Sequence, residues 1–172
     1  AGPMDYTQGA MRNATKKTYK PIRTEPRSQG TRCRQLAEYV VFESPLNMMC
    51  DSPTNYMAEQ ECTDFIAAIP TVWDETVALD GKVAEYVVMA RRKADTWYVG
   101  AMAGWDGREM EIDLGFLPEG EYSMTVFRDG VNAHRIASDY RKVTMDVPSD
   151  RKMKIKMAPG GGWAAVIPRK TQ

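Results

Sequence analysis

At 172 residues the chain has room for one ordinary domain, or for one domain with part of a second. Its 43% apolar and 27% charged content excludes a disordered polar chain. The 23 basic residues balance 23 acidic ones, so no net field draws it to nucleic acid or an anionic membrane, and no apolar run reaches the roughly 20 residues of a bilayer span.

The opening "AGPMDYTQGAM" has neither a leading Met nor the charged, apolar and small-residue regions of a signal peptide, and it reads as the inside of something larger. Residues 11–34 carry eight basic side chains (Arg12, Lys16, Lys17, Lys20, Arg23, Arg27, Arg32, Arg34) against one acid, Glu25. Pro21, Pro26 and the lack of apolar periodicity make this a long basic loop, read first as solvated and second as an active-site loop. "QGTRCRQLAEYVVFESP" then changes character. Thr31 is a candidate N-cap, and Cys33, Leu36, Ala37, Val40 and Val41 recur with helical spacing up to a stop at Pro45. "LNMMCDSPTNY" is expected to hold a helical turn and then a Ser-Pro loop, and a second short helix to cover Glu59 to Ala68. Cys33, Cys50 and Cys62 lie in no metal-ligand spacing, and small buried thiols on helices are favoured over a Cys50–Cys62 bridge.

A boundary near Pro70 separates residues 1–70 from 71–172, because from Thr71 the apolar period becomes two. Runs of β-branched and aromatic residues are separated by Asp80-Gly81, Ala94-Asp95, Asp106-Gly107, Pro118-Glu119-Gly120 and Asp129-Gly130, which read as hairpin turns. "KVTMDVP", "KMKIKMA" and "GWAAVIP" complete a set of eight strands, expected to form an antiparallel sandwich or barrel. In "KMKIKM", Met153, Ile155 and Met157 share one face and Lys152, Lys154 and Lys156 the other, a row read first as a solvated edge guarded against aggregation and second as an anion contact. "PGGGW" lacks the Lys-Ser/Thr pair and following helix of a phosphate loop and reads as a turn.

Candidates for chemistry are few. His134 sits in a polar loop without a nucleophile motif, and Asp74 and Glu75, adjacent on one strand, point to opposite faces and cannot form an acid/base pair from that strand alone. Trp73, Trp97, Trp105 and Trp163 would support a carbohydrate-binding module only if two or three were exposed in a row. A purely structural sandwich competes with that reading.

"GPMDYTQGAM", "QGTRCRQLAEYVVFESPLNMMCDSPTNY", "ECTDFI", "PTVWDETVALDGKVAEYVVMARRKADTWYVGAM" and "DLGFLPEGEYSMTVFRDGVNA" together resemble the C-terminal region of glycoside hydrolase family 97. The resemblance implies an α+β fold. The closing strand, loop and helices of a truncated (β/α)8 barrel in residues 1–70 would be followed by an antiparallel β-sandwich of about eight strands in 71–172. It also implies a parent enzyme that hydrolyses α-glucosidic or, second, α-galactosidic bonds in oligosaccharides, with partners in the upstream barrel and N-terminal domain of the same polypeptide. Asp5, Tyr6 and Thr7 would then lie at the catalytic face of the eighth barrel strand as substrate-binding residues. The catalytic carboxylates and the calcium ligands would lie upstream, so this chain alone should hydrolyse nothing. A bacterial periplasmic or cell-surface location follows from the same resemblance, as does an apolar face of residues 31–49 and 59–69 left partly exposed without the barrel.

Overall fold

The computed structural model describes residues 5–170. Two short segments, β1 (Asn13–Ala14) and β2 (Ser28–Gln29), pair in parallel and bracket the basic loop. Three helices follow: α1 (Arg32–Val41), α2 (Pro53–Ala58) and α3 (Gln60–Ala68). The Thr31 side chain accepts the Arg34 N–H and so caps α1, and the apolar positions predicted for that helix are buried. Ser-Pro opens α2 rather than a loop. Ser52 accepts the Asn55 N–H, and Pro53 occupies the first turn, where its missing N–H costs nothing.

Eight strands make up the remainder: β3 (Glu75–Lys82), β4 (Tyr86–Lys93), β5 (Thr96–Ala103), β6 (Arg108–Asp113), β7 (Ser123–Asp129), β8 (Tyr140–Asp146), β9 (Lys152–Met157) and β10 (Gly162–Pro168). They form a six-stranded antiparallel sheet in the order β3-β4-β5-β10-β7-β8 and a two-stranded antiparallel sheet of β6 and β9. Three predicted hairpin turns act differently, one of them, Pro118-Glu119-Gly120, because it joins β6 to β7 in different sheets. Asp80 and Gly81 stay inside β3, opposite Val88 and Val87, because the strand bulges between Ala78 and Asp80; the chain turns instead at residues 83–85, with Ala84 at φ 65°. Asp106-Gly107 joins β5 to β6, which belong to different sheets, so this turn carries the chain across the sandwich.

The large sheet has a core on each face. Alternation sends Trp97, Val99 and Ala101 of β5, Trp163, Ala165 and Ile167 of β10, and Met124 and Val126 of β7 toward Ile112 of β6 and Ile155 and Met157 of β9. The opposite residues, Tyr98, Met102, Ala164 and Phe127, meet Cys33, Leu36, Ala37 and Val40 of α1. Gly100 and Gly162 let the helix approach. A Cβ on Gly162 would stand 2.4 Å from Arg34 Cα, and one on Gly100 2.9 Å from the Ala37 carbonyl. The apolar face of α1 is therefore covered by the sheet, contrary to the expected exposure. Leu46, Met48 and Met49, which follow it, remain exposed. Among the described residues the helices form this outer layer on the sheet rather than a recognisable barrel, so the observed architecture is a mostly β, six-plus-two sandwich with helices on one side.

Candidate functional site

The segment from Asp5 to Ala14 reaches α1 through a set of polar contacts. Arg32, 1% exposed, donates from Nε to Asn13 Oδ1 (2.5 Å) and from Nη2 to the Met11 carbonyl (2.6 Å), while its Nη1 lies 2.9 Å from Glu59 Oε2. Gln35 Nε2 donates to the Gly9 and Ala10 carbonyls. Asp51 Oδ2 accepts the Met11 N–H at 2.8 Å, and its Oδ1 accepts from Ser52 N and Asn55 Nδ2. Burial acts to raise the Asp51 pKa, but these donors outweigh it and hold the carboxyl below its ordinary range. Arg32 belongs to the predicted basic loop by sequence, yet it is the buried hinge pin between that segment, α1 and α3.

The three predicted sugar-contacting residues separate. Asp5 and Thr7 are exposed, whereas Tyr6 bridges to Asn47 and packs its ring 4.6 Å from Phe42. Burial pushes the Tyr6 hydroxyl up to about 12, with Glu38 adding to the shift and Arg34 opposing it. Glu38 is a group the sequence reading passed over. Burial raises its carboxyl to about 7 although Arg34 Nε lies 3.3 Å away, so it is part-protonated near neutrality. The signal available in the sequence was only its i,i+4 spacing from Arg34.

Elsewhere the candidates resolve into structure. Asp74 binds Lys93 Nζ and the Ala94 N–H, and Glu75 pairs with Arg92 across β3 and β4. His134 is exposed, and all three cysteines are free thiols: Cys33 and Cys62 are buried on α1 and α3 as expected, whereas Cys50 is exposed in the loop between α1 and α2. Trp97 and Trp163 are core residues; Trp73 stands edge-on to Tyr98, and Trp105 is half-buried over Gly160. The tryptophans therefore form no exposed row. The "PGGGW" turn receives the Thr31 N–H on the Gly160 carbonyl and so docks against the start of α1.

A family model described as glycosyl-hydrolase 97 C-terminal, oligomerisation, matches residues 72–168. The chain belongs to glycoside hydrolase family 97. It is 60% identical over 97% of its length to a protein of Bacteroides thetaiotaomicron named retaining alpha-galactosidase, and it spans 25% of that protein. A solved family 97 enzyme from Pseudoalteromonas sp. strain K8, in complex with acarbose, superposes with a TM-score of 0.86 at 34% identity, covering 99% of this chain and 27% of that one. A beta-arabinopyranosidase structure superposes with a TM-score of 0.71 at 27% identity, over 82% of this chain and 22% of that one. The chain thus spans about a quarter of the length of the family 97 relatives it matches.

Proposed function

We propose that this chain is the C-terminal part of a family 97 enzyme that hydrolyses α-galactosidic bonds with retention. The 60% identity to the retaining alpha-galactosidase of Bacteroides thetaiotaomicron carries the reading and reverses the order in which the sequence motifs ranked the two sugars. α-Glucosidic action is the second reading, supported by the 34% identical Pseudoalteromonas enzyme, whose solved structures hold panose or acarbose. Retaining hydrolysis needs one carboxyl as acid and another as nucleophile, about 5–5.5 Å apart on opposite sides of the sugar ring. Asp5 is exposed and Glu38 is paired with Arg34, so neither is offered as half of such a pair.

On this reading the 5–70 segment is the closing part of a barrel, with Asp5, Tyr6 and Thr7 near its sugar-binding face. Catalytic groups and calcium ligands would come from upstream segments. Among the described residues no group of three or more His, Cys, Asp or Glu side chains gathers to hold a metal ion. The sandwich would cap the barrel and, as the description of the matched family model suggests, contribute to oligomerisation. The lack of an exposed row of tryptophans favours that role over sugar capture. A periplasmic or cell-surface location belongs to the same proposal.

The test is hydrolysis of nitrophenyl α-galactoside and α-glucoside by this chain and by a protein extended upstream through the barrel, with calcium and with chelator. Galactoside turnover confined to the extended protein is expected. Turnover by the 172-residue chain alone would refute the assignment of the carboxylates upstream.

A further inference from the structure

The six-stranded sheet ends at two edges, and they are built differently. β3 is broken by the bulge between Ala78 and Asp80, which interrupts its row of outward main-chain groups. β8 pairs with β7 without a shift from Ser123 opposite Asp146 to Asp129 opposite Tyr140, contains no proline, and has no neighbour on its other side among the described residues. The ladder fixes where its remaining groups point. The Val147 N–H donates to the Tyr122 carbonyl and the Gly130 N–H to that of Asp139, so the odd-numbered residues bond to β7. Lys142, Thr144 and Asp146 therefore aim their N–H and C=O groups outward, and none of these has a main-chain partner among the described residues.

Such an edge is a template for another strand. The sequence of β8 is complementary to itself, since Arg141 and Lys142 lie near its start and Asp146 closes it, so a second copy running antiparallel brings unlike charges together. Outward groups must meet outward groups, so even-numbered residues pair with even-numbered ones. A two-fold axis through Thr144 sets Lys142 against Asp146 of the second copy on one face and Val143 against Met145 of the second copy on the other. Centring on Lys142 would oppose two lysines, and centring on Val143 would set Met145 against Arg141. Val143, opposite Val126, is half-buried, and Met145 is 37% exposed, so the Thr144 register covers apolar surface that β6 and β9 leave open. Within the chain Lys142 lies 3.5 Å from Glu61 and Asp146 lies 2.9 Å from Lys170. The contact between copies would join these two exposed ion pairs into one alternating row.

We propose that β8 is the surface through which two copies of this chain associate, antiparallel and with Thr144 opposite itself, into a continuous sheet. This rests on the reading that the sandwich contributes to oligomerisation, and it names the strand and the register.

Sedimentation velocity over a concentration series tests it, on the 172-residue chain and on the protein extended upstream through the barrel. A reversible dimer is expected in both. Thr144→Pro removes the central outward N–H, which an edge strand tolerates, and should weaken dimerisation about tenfold or more. Lys142→Asp and Asp146→Lys should each weaken it, and the double exchange should restore it. Because that exchange sets like charges against Glu61 and Lys170 within each chain, restoration cannot come from a more stable fold. A dimer indifferent to Thr144→Pro, or a double exchange no better than either single one, would overturn the proposal while leaving oligomerisation through another surface standing. Monomers of both proteins would overturn both. A dimer of only one protein would also overturn it, placing the contact upstream if the extended protein alone dimerises, and upstream segments over β8 if the shorter chain alone does.

Discussion

The two faces of the six-stranded sheet are built on different principles. The face toward β6 and β9 is apolar throughout its centre, and its charges stay outside, where Glu109, Glu111 and Asp113 stand opposite Lys156, Lys154 and Lys152. The face toward α1 buries polar groups with the apolar ones: Arg32, Gln35 and Thr31 on the helix side, and Arg91 on β4, whose Nη2 reaches the Val41 carbonyl at 3.0 Å. A dry interface needs only shape and area. An interface that must also hold an irregular segment needs buried donors, because the carbonyls of Gly9, Ala10 and Met11 have no strand partner to satisfy them.

The comparison breaks most visibly at β10, which serves both faces. Trp163→Ala empties the dry side and should cost about 3–5 kcal/mol in urea unfolding, with one cooperative transition for the whole chain. Gly162→Val, one residue away, points to the other side and drives a side chain into the backbone of Arg34 and Cys33. It should cost about 3 kcal/mol, and hydrogen exchange should find α1 amides opened while β5 amides stay protected. Exchange that opens both together would mean that the helix layer and the sheet are a single cooperative unit.

Arg32→Met tests the polar side alone. Removing the guanidinium strands the Met11 carbonyl and Asn13 Oδ1 but leaves Glu59, which is 37% exposed, free to hydrate. A loss of about 2–3 kcal/mol is expected, together with new proteolytic cleavage in residues 11–30, whereas a loss confined to the transition midpoint would mean that Arg32 does not hold that segment.

How much of this could be read in the sequence follows the same division. The central strands were legible as strands, since the runs Thr96 to Ala103 and Gly162 to Pro168 are apolar and bounded by turns, but both are buried on both faces, so the runs alone do not say which side chain meets which layer. The Thr31 cap and the apolar stripe of α1 were legible from local spacing. The bulge in β3 was not, because Asp80-Gly81 has the composition of a turn and only tertiary pairing keeps it extended. Nor does any local pattern separate Arg32, buried, from Lys16 or Lys17 in the same basic run. Of the predicted sugar contacts, only Tyr6 has a packing partner. That partner, Phe42, lies across a loop whose path is set by side-chain hydrogen bonds rather than by periodicity.

Glu38 sharpens the contrast through pH. Its folded-state pKa is raised from 4.5 to about 7, so the native state holds the proton more tightly than the unfolded chain does. Stability attributable to this group is therefore greatest below about pH 4.5 and falls as pH rises through 7. Glu38→Gln removes that dependence at the cost of the Arg34 ion pair. The difference in unfolding free energy between variant and unsubstituted chain should shift in favour of the variant by about 2 kcal/mol from pH 5 to pH 8. A difference independent of pH would mean that Glu38 is ionised throughout.

The smallest expected effect lies outside the dry face, in the charge ladder. Lys152 is 57% exposed and sits 3.5 Å from Glu111, so Lys152→Ala should change stability by less than about 0.5 kcal/mol. Yet β6 and β9 pair only with each other among the described residues, which leaves ladder edges unfilled, and the lysine row keeps another strand from adding there. Replacing Lys152 and Lys156 together with Thr should leave the unfolding midpoint nearly unchanged while raising light scattering at high protein concentration. Equal scattering from both proteins would leave the row with no role beyond its cross-strand ion pairs.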